Sequence, residues 1–139
     1  MPTVIDQAVQ TRLIASVPSA MSVSATLHYH RKDPLAVRIS FPAEVSLDGS
    51  EVEWTFAREL LAAGLHGPAG DGDVQVWPCG LDSTVLEFHT DEGLAMVQVG
   101  TEDLRRFLRK AYAAVPADSE RRVIRAAMDR DIAALLRDA

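Results

Sequence analysis

A chain of 139 residues, 47% apolar and 24% charged, has the size of one domain and the balance of a soluble globule, which excludes a disordered or membrane-embedded chain. Its 14 basic and 20 acidic residues give a formal charge of −6, a net field that repels phosphate backbones and anionic membranes. Cys79 is the only cysteine, the opening residues lack a basic stretch followed by an apolar one, and no apolar run reaches the ~18 residues of a membrane span, so the expectation is a single cytoplasmic domain over residues 1–139.

Apolar positions alternate with polar ones over the first hundred residues and then switch to a helical period near Gly100. Residues 5–17 carry Ile5, Val9, Leu13, Ala15 and Val17 on one parity, and Pro18-Ser19 supplies the reversal into residues 21–30. There Met21, Val23, Ala25, Leu27 and Tyr29 face the core, while Ser22, Ser24, Thr26, His28 and His30 face away. After the Lys32-Asp33-Pro34 turn, Val37, Ile39 and Phe41 alternate as far as Pro42, and Val52, Trp54 and Phe56 mark a fourth strand over residues 51–56. These four strands suit a meander.

Over residues 57–65, Leu60, Leu61 and Leu65 fall one turn apart with Arg58 and Glu59 elsewhere, which predicts a short linking helix ending near Gly64 and Gly67. The run Gly67-Pro68-Ala69-Gly70-Asp71-Gly72-Asp73 is a loop. Strands near residues 73–77, 84–90 and 94–99 make a second meander; Leu94 and Met96 opposite Ala95, Val97 and Val99 imply that both faces of the last are buried. Thr101 is expected to cap a helix with the stripe Leu104, Phe107, Leu108, Ala111 and Val115, stopped by Pro116. A last helix starting at Asp118 or Ser119 carries Ile124, Met128, Ile132, Leu135 and Leu136. The fold class is α+β, two antiparallel β-meanders packed with a short linking helix and two C-terminal helices.

Catalytic signatures are missing from the sequence. No Gly-x-Ser-x-Gly turn occurs, Cys79 has no activating neighbour in sequence, and paired acids such as Glu51 and Glu53 read as solvated faces. His28 and His30 share a strand face and could chelate a metal with a third ligand, but His66 and His89 are distant in sequence and adjoin no Cys or clustered carboxylate, so a polar sheet face carrying two imidazoles is the better reading. Asp71-Gly72-Asp73 lacks the length and terminal glutamate of a calcium loop, and no phosphate cradle is present. Catalytic, cofactor and metal residues are therefore none. The arginines Arg105, Arg106 and Arg109 with Lys110, followed by Arg121, Arg122 and Arg125, are the best case for nucleic-acid binding, although acidic neighbours make them read as solvated helix faces.

Residues 33–78 stand apart. Asp33-Pro34-Leu35-Ala36-Val37 is followed by Val52-Glu53-Trp54-Thr55-Phe56-Ala57-Arg58-Glu59-Leu60-Leu61, then Gly64-Leu65, then Gly70-Asp71-Gly72-Asp73-Val74-Gln75-Val76-Trp77-Pro78. This order resembles the SsgA-like proteins of sporulating actinomycetes, whose pattern runs Asp-Pro-x-Ala-Val, Val-x-Trp-x-Phe-Ala-Arg-Asp/Glu-Leu-Leu, Gly-Leu and Gly-x-Gly-Asp-Val-x-Val-Trp-Pro. The resemblance implies a non-enzymatic cytoplasmic regulator of cell division and sporulation that binds the tubulin-like division GTPase FtsZ and other septum-site proteins. It also implies a Whirly-like fold of two four-stranded sheets and a homotrimer. The eighth strand of that fold would fall at residues 44–47 or in a split of the first hairpin. A single-stranded nucleic-acid binder on the same scaffold is the alternative. Parity places Trp54 and Phe56 with the core and Trp77 on the other face, so Trp77, with Arg58 and Asp73, is the candidate protein-interaction set.

Overall fold

The computed structural model describes residues 4–14, 21–42, 52–70, 72–90 and 93–118. Among these residues, seven strands and two helices follow in the order β1 (Val4–Ile14), β2 (Met21–His30), β3 (Ala36–Phe41), β4 (Val52–Ala57), α1 (Arg58–Gly64), β5 (Val74–Cys79), β6 (Ser83–Thr90), β7 (Gly93–Gly100) and α2 (Thr101–Ala114). The expected last helix and the strand sought at residues 44–47 lie outside the described residues.

Both meanders are present, and they are joined edge to edge. Strand β1 pairs with β2 from Val4 opposite His30 to Leu13 opposite Met21, and its last residues, Thr11 to Ile14, also pair with Val99 to Met96 of β7. The described strands thus form one antiparallel sheet ordered β4-β3-β2-β1-β7-β6-β5. The length of β1 permits this: at 11 residues it outruns its neighbours and serves both halves.

The sheet curls strongly. Strands β4 and β6 stand five places apart, which in a flat sheet would be about 24 Å at ~4.8 Å per strand. Yet the Trp54 ring of β4 stacks on Phe88 of β6 with centroids 4.9 Å apart at 27°, and Phe41 of β3 meets Phe88 edge-on at 6.1 Å. The two meanders therefore face each other across one apolar layer containing Leu27, Ile39, Val76, Leu86 and Val97. The far side of β7 is more open than the sequence implied: Leu94 is 53% exposed and Met96 half-buried.

The helices attach to this frame by close packing. Helix α1 follows β4 directly, and its last residue, Gly64, sits where a Cβ would come 2.2 Å from Val76 Cγ1 and 2.4 Å from Val76 Cβ of the edge strand β5. Glycine is thus required there by contact. Helix α2 buries Leu104, Phe107, Leu108 and Ala111. Its N-cap is Gly100, which has no side chain to offer; Thr101, the expected cap, is the first helical residue and its hydroxyl meets that of Thr84 at 2.8 Å in the interior. Glu102 and Asp103 lie in the first turn, where the helix dipole favours them.

Replacing Gly64 by alanine should destabilise the fold by about 2 kcal/mol, because Val76 and the backbone behind it must shift. Urea unfolding is expected to show a lower midpoint at an unchanged slope, which reports lost stability without a change in the surface exposed on unfolding.

Candidate protein-interaction site

The segment that the sequence singles out folds around Arg58. This arginine opens α1 and has no solvent-exposed surface. Its Nη1 donates to the Val115 carbonyl at 2.7 Å, the Ala111 carbonyl at 3.1 Å and the Tyr29 hydroxyl at 3.2 Å. The guanidinium carbon lies 4.0 Å from the centre of the Tyr112 ring and 5.5 Å from that of Tyr29. Desolvating a guanidinium is expensive, and carbonyl dipoles with aromatic faces offset that cost. Helix geometry explains the burial: Arg58, Leu61 and Leu65 are spaced i, i+3, i+7 and share one face.

The Asp33-Pro34 turn belongs to the same network. Tyr29 Oη donates to the Pro34 carbonyl at 3.1 Å, and the Arg58 amide donates to the Leu35 carbonyl at 2.8 Å. Arg58 thus leaves the surface candidates, since a side chain with no exposure cannot touch a partner of the folded chain.

Asp73 and Trp77 remain at the surface. Beyond α1, Ala69 exchanges two backbone hydrogen bonds with Val76, at 2.9 and 3.0 Å, which lays the glycine loop along the outer edge of β5. Gly70 adopts a φ of +107° there, and a Cβ would come 2.5 Å from the Val74 carbonyl oxygen. Between this loop and α1 runs a groove of about 510 Å³ with Phe56, Leu60, Ala63 and Val74 in its walls and Glu59 and Asp73 beside it. Asp73 and Glu59 are exposed.

Trp77, half-buried, lies on the outer face of β5 opposite Val85, and its Nε1 donates to Glu87 Oε2 at 3.0 Å. The other oxygen of Glu87 lies 3.2 Å from His89 Nε2 without the alignment of a hydrogen bond, and that nitrogen has no other partner among the described residues. The indole is therefore fixed by its polar tip. Pro78 and the Ala69 bridge also limit what the β5 edge can pair with.

Elsewhere on the outer face, His28 Nδ1 meets Asp6 Oδ1 at 2.7 Å and Nε2 meets the Ser40 hydroxyl at 2.5 Å, so one imidazole links β1, β2 and β3. His30 Nδ1 accepts from the Lys32 amide at 3.0 Å. Both nitrogens of His28 are engaged within the sheet, and no group of three or more potential metal ligands occurs among the described residues. On α2, Arg105 and Arg109 lie 3.6 and 3.2 Å from Glu102, and Arg106 lies 3.6 Å from Asp103. The acidic neighbours thus partly neutralise the cations that favoured nucleic acid. No helix among the described residues is long and apolar enough to cross a membrane.

Fold and site together define a curled antiparallel α+β protein whose motif residues build a helix-and-loop surface beside a fixed tryptophan. Comparison with known proteins makes the class specific. The family model for the Streptomyces sporulation and cell division protein SsgA matches residues 23–120. The sporulation-specific cell division protein SsgB of Salinispora tropica is 42% identical over 122 residues, covering 86% of this chain and 85% of its own; that of Streptomyces coelicolor is 39% identical over 127 residues, covering 88% and 89%. The crystal structure of an SsgA-like sporulation-specific cell division protein from Thermobifida fusca superposes with a TM-score of 0.77 at 34% identity, over 94% of each chain. A solved structure of SsgB, mutations in which correlate to longitudinal cell division during sporulation of Streptomyces coelicolor, gives 0.76 at 36% identity, over 86% of this chain and 94% of its own. This chain belongs to the SsgA family of sporulation and cell division proteins.

Reading the sequence missed the groove and the Trp77–Glu87 contact. The latter had a usable signal: Gly80-Leu81-Asp82 sets the hairpin register, which pairs Gln75 with Glu87 and makes Trp77 its diagonal neighbour.

Arg58→Ala should destabilise the fold by about 3 kcal/mol, since it strands interior carbonyls as well as losing the ring contacts. Arg58→Lys is expected to recover only part of that loss, because a single ammonium cannot reproduce the planar guanidinium. Chemical denaturation of the two variants checks both the size and the order of the effects.

Proposed function

We propose that this chain is a non-enzymatic adaptor of septation, which binds the division GTPase FtsZ and helps localise it at septum sites in the cytoplasm. The observation that carries the reading is the agreement with SsgB proteins over most of both chains. The surface chemistry supports it. Trp77 combines a large apolar ring with an N–H already satisfied by Glu87, so a partner gains contact area without stranding a donor.

The working unit in this reading is a homotrimer on a Whirly-like scaffold. The exposed Leu94 and half-buried Met96 on the outer face of β7 supply apolar surface that a neighbouring copy would cover. Protein, and not nucleic acid, is the partner class, since the formal charge is −6 and α2 pairs its arginines with acids.

Purified protein should co-sediment with FtsZ polymers at micromolar concentration, and Trp77→Ala should weaken that association about tenfold or more with the far-UV circular dichroism unchanged. Absence of co-sedimentation in every nucleotide state would remove FtsZ as the direct partner. Light scattering is expected to give three times the chain mass, and a monomer would undo the trimer. Tight, strongly salt-dependent retention of single-stranded DNA in a mobility-shift assay would reverse the choice of partner class.

A further inference from the structure

Building on the adaptor reading, we infer that the groove between α1 and the glycine loop is the docking site for a partner segment carrying an arginine or lysine beside an apolar side chain. At about 510 Å³ the groove falls within the range of ligand clefts, roughly 300–1,000 Å³. Buried Phe56 and Val74 and half-buried Leu60 give it an apolar floor. Exposed Glu59 and Asp73 stand at its mouth, and neither forms an ion pair with any described residue.

This combination selects its occupant. Two unpaired carboxylates repel an acidic segment, and a wholly apolar one would desolvate them without compensation. A lysine or arginine instead lays its methylene stem along the floor and keeps its charged head at the mouth, while the neighbouring apolar side chain fills the floor. The walls are held in advance. Gly64 presses α1 onto Val76, and two Ala69–Val76 hydrogen bonds hold the start of the opposing loop on β5, which lowers the ordering entropy lost on binding. Trp77 lies on the opposite face of β5 from Val74, so this site is distinct from the tryptophan patch.

The test titrates the isotope-labelled full chain with the blocked tetrapeptide Leu-Lys-Leu-Arg and its acidic counterpart Leu-Glu-Leu-Glu, followed by NMR. The basic peptide should shift the amides of Leu60, Ala63, Gly72 and Val74, and the acidic one should not. Affinity should fall about tenfold in the double variant Glu59→Gln/Asp73→Asn and fall again with added salt. Both side chains are exposed, so the thermal midpoint serves as the control for folding.

Equal shifts from both peptides, shifts mapping elsewhere, no shift at millimolar peptide, or unchanged affinity in the double variant would each overturn the inference. So would a change of oligomeric mass in the double variant, because the groove would then belong to a second copy. The two proposals fail separately. If FtsZ does not co-sediment while the basic peptide still fills the groove, the partner is wrong and the groove stands. If FtsZ co-sediments equally with wild type and double variant, the groove is wrong and the adaptor reading stands.

Discussion

A guanidinium with no access to water constrains this structure more than any other group. The Arg58 guanidinium donates to the Ala111 and Val115 carbonyls and lies over the Tyr112 ring, and such dipoles and ring faces stabilise a buried charge only when correctly placed. The rings and carbonyls come from β2 and from the last turn of α2, while the Arg58 amide ties to the loop before β3. One residue, through its side chain and its amide, therefore sets three relations: α1 to the first meander, α1 to α2, and the Asp33-Pro34 turn to both. A purely apolar residue would bury comparable surface without specifying where the ends of these elements lie.

The curl of the sheet is the second constraint, and it explains why a short helix suffices to link the meanders. A flat seven-stranded sheet would leave β4 and β5 at opposite margins; curling brings Trp54 onto Phe88 and allows seven residues of α1 to span from one margin to the other. The closeness of Gly64 to Val76 is the consequence. Once α1 is pressed onto β5, the chain returns through the glycine loop along that same edge, where Ala69 satisfies groups of Val76 that would otherwise invite pairing with another chain.

Much of this was legible in the sequence because period-two alternation is a local signal. Strands β2 to β7 fall within a residue or two of where alternation places them, and the inward parity of Trp54 and outward parity of Trp77 follow from the same rule. The joint between β1 and β7 was not legible: it pairs Ile14 with Met96, and nothing local to either strand encodes that choice. Arg58 was misplaced for a different reason. Charged residues are rarely fully buried, yet the i, i+3, i+7 spacing of Arg58 to Leu61 and Leu65 puts it on the buried face of α1. Thr101 shows a smaller case, in which a good capping residue is drawn inward by Thr84.

The motif that identifies the family is structural at Arg58, Gly64 and Trp54, yet structure and surface are not competing explanations for it. Consecutive helical residues point about 100° apart, so fixing Arg58 toward the interior fixes Glu59 outward and sets Leu60 against the glycine loop. The same holds across the groove, where Val74 is buried and Asp73, its neighbour, is exposed. A substitution in the buried set would therefore displace the carboxylates without altering them. Loss of partner binding in an Arg58 variant would then report a tilted α1 and not a lost contact, whereas the exposed Glu59 and Asp73 of the proposed docking site can be changed apart from folding.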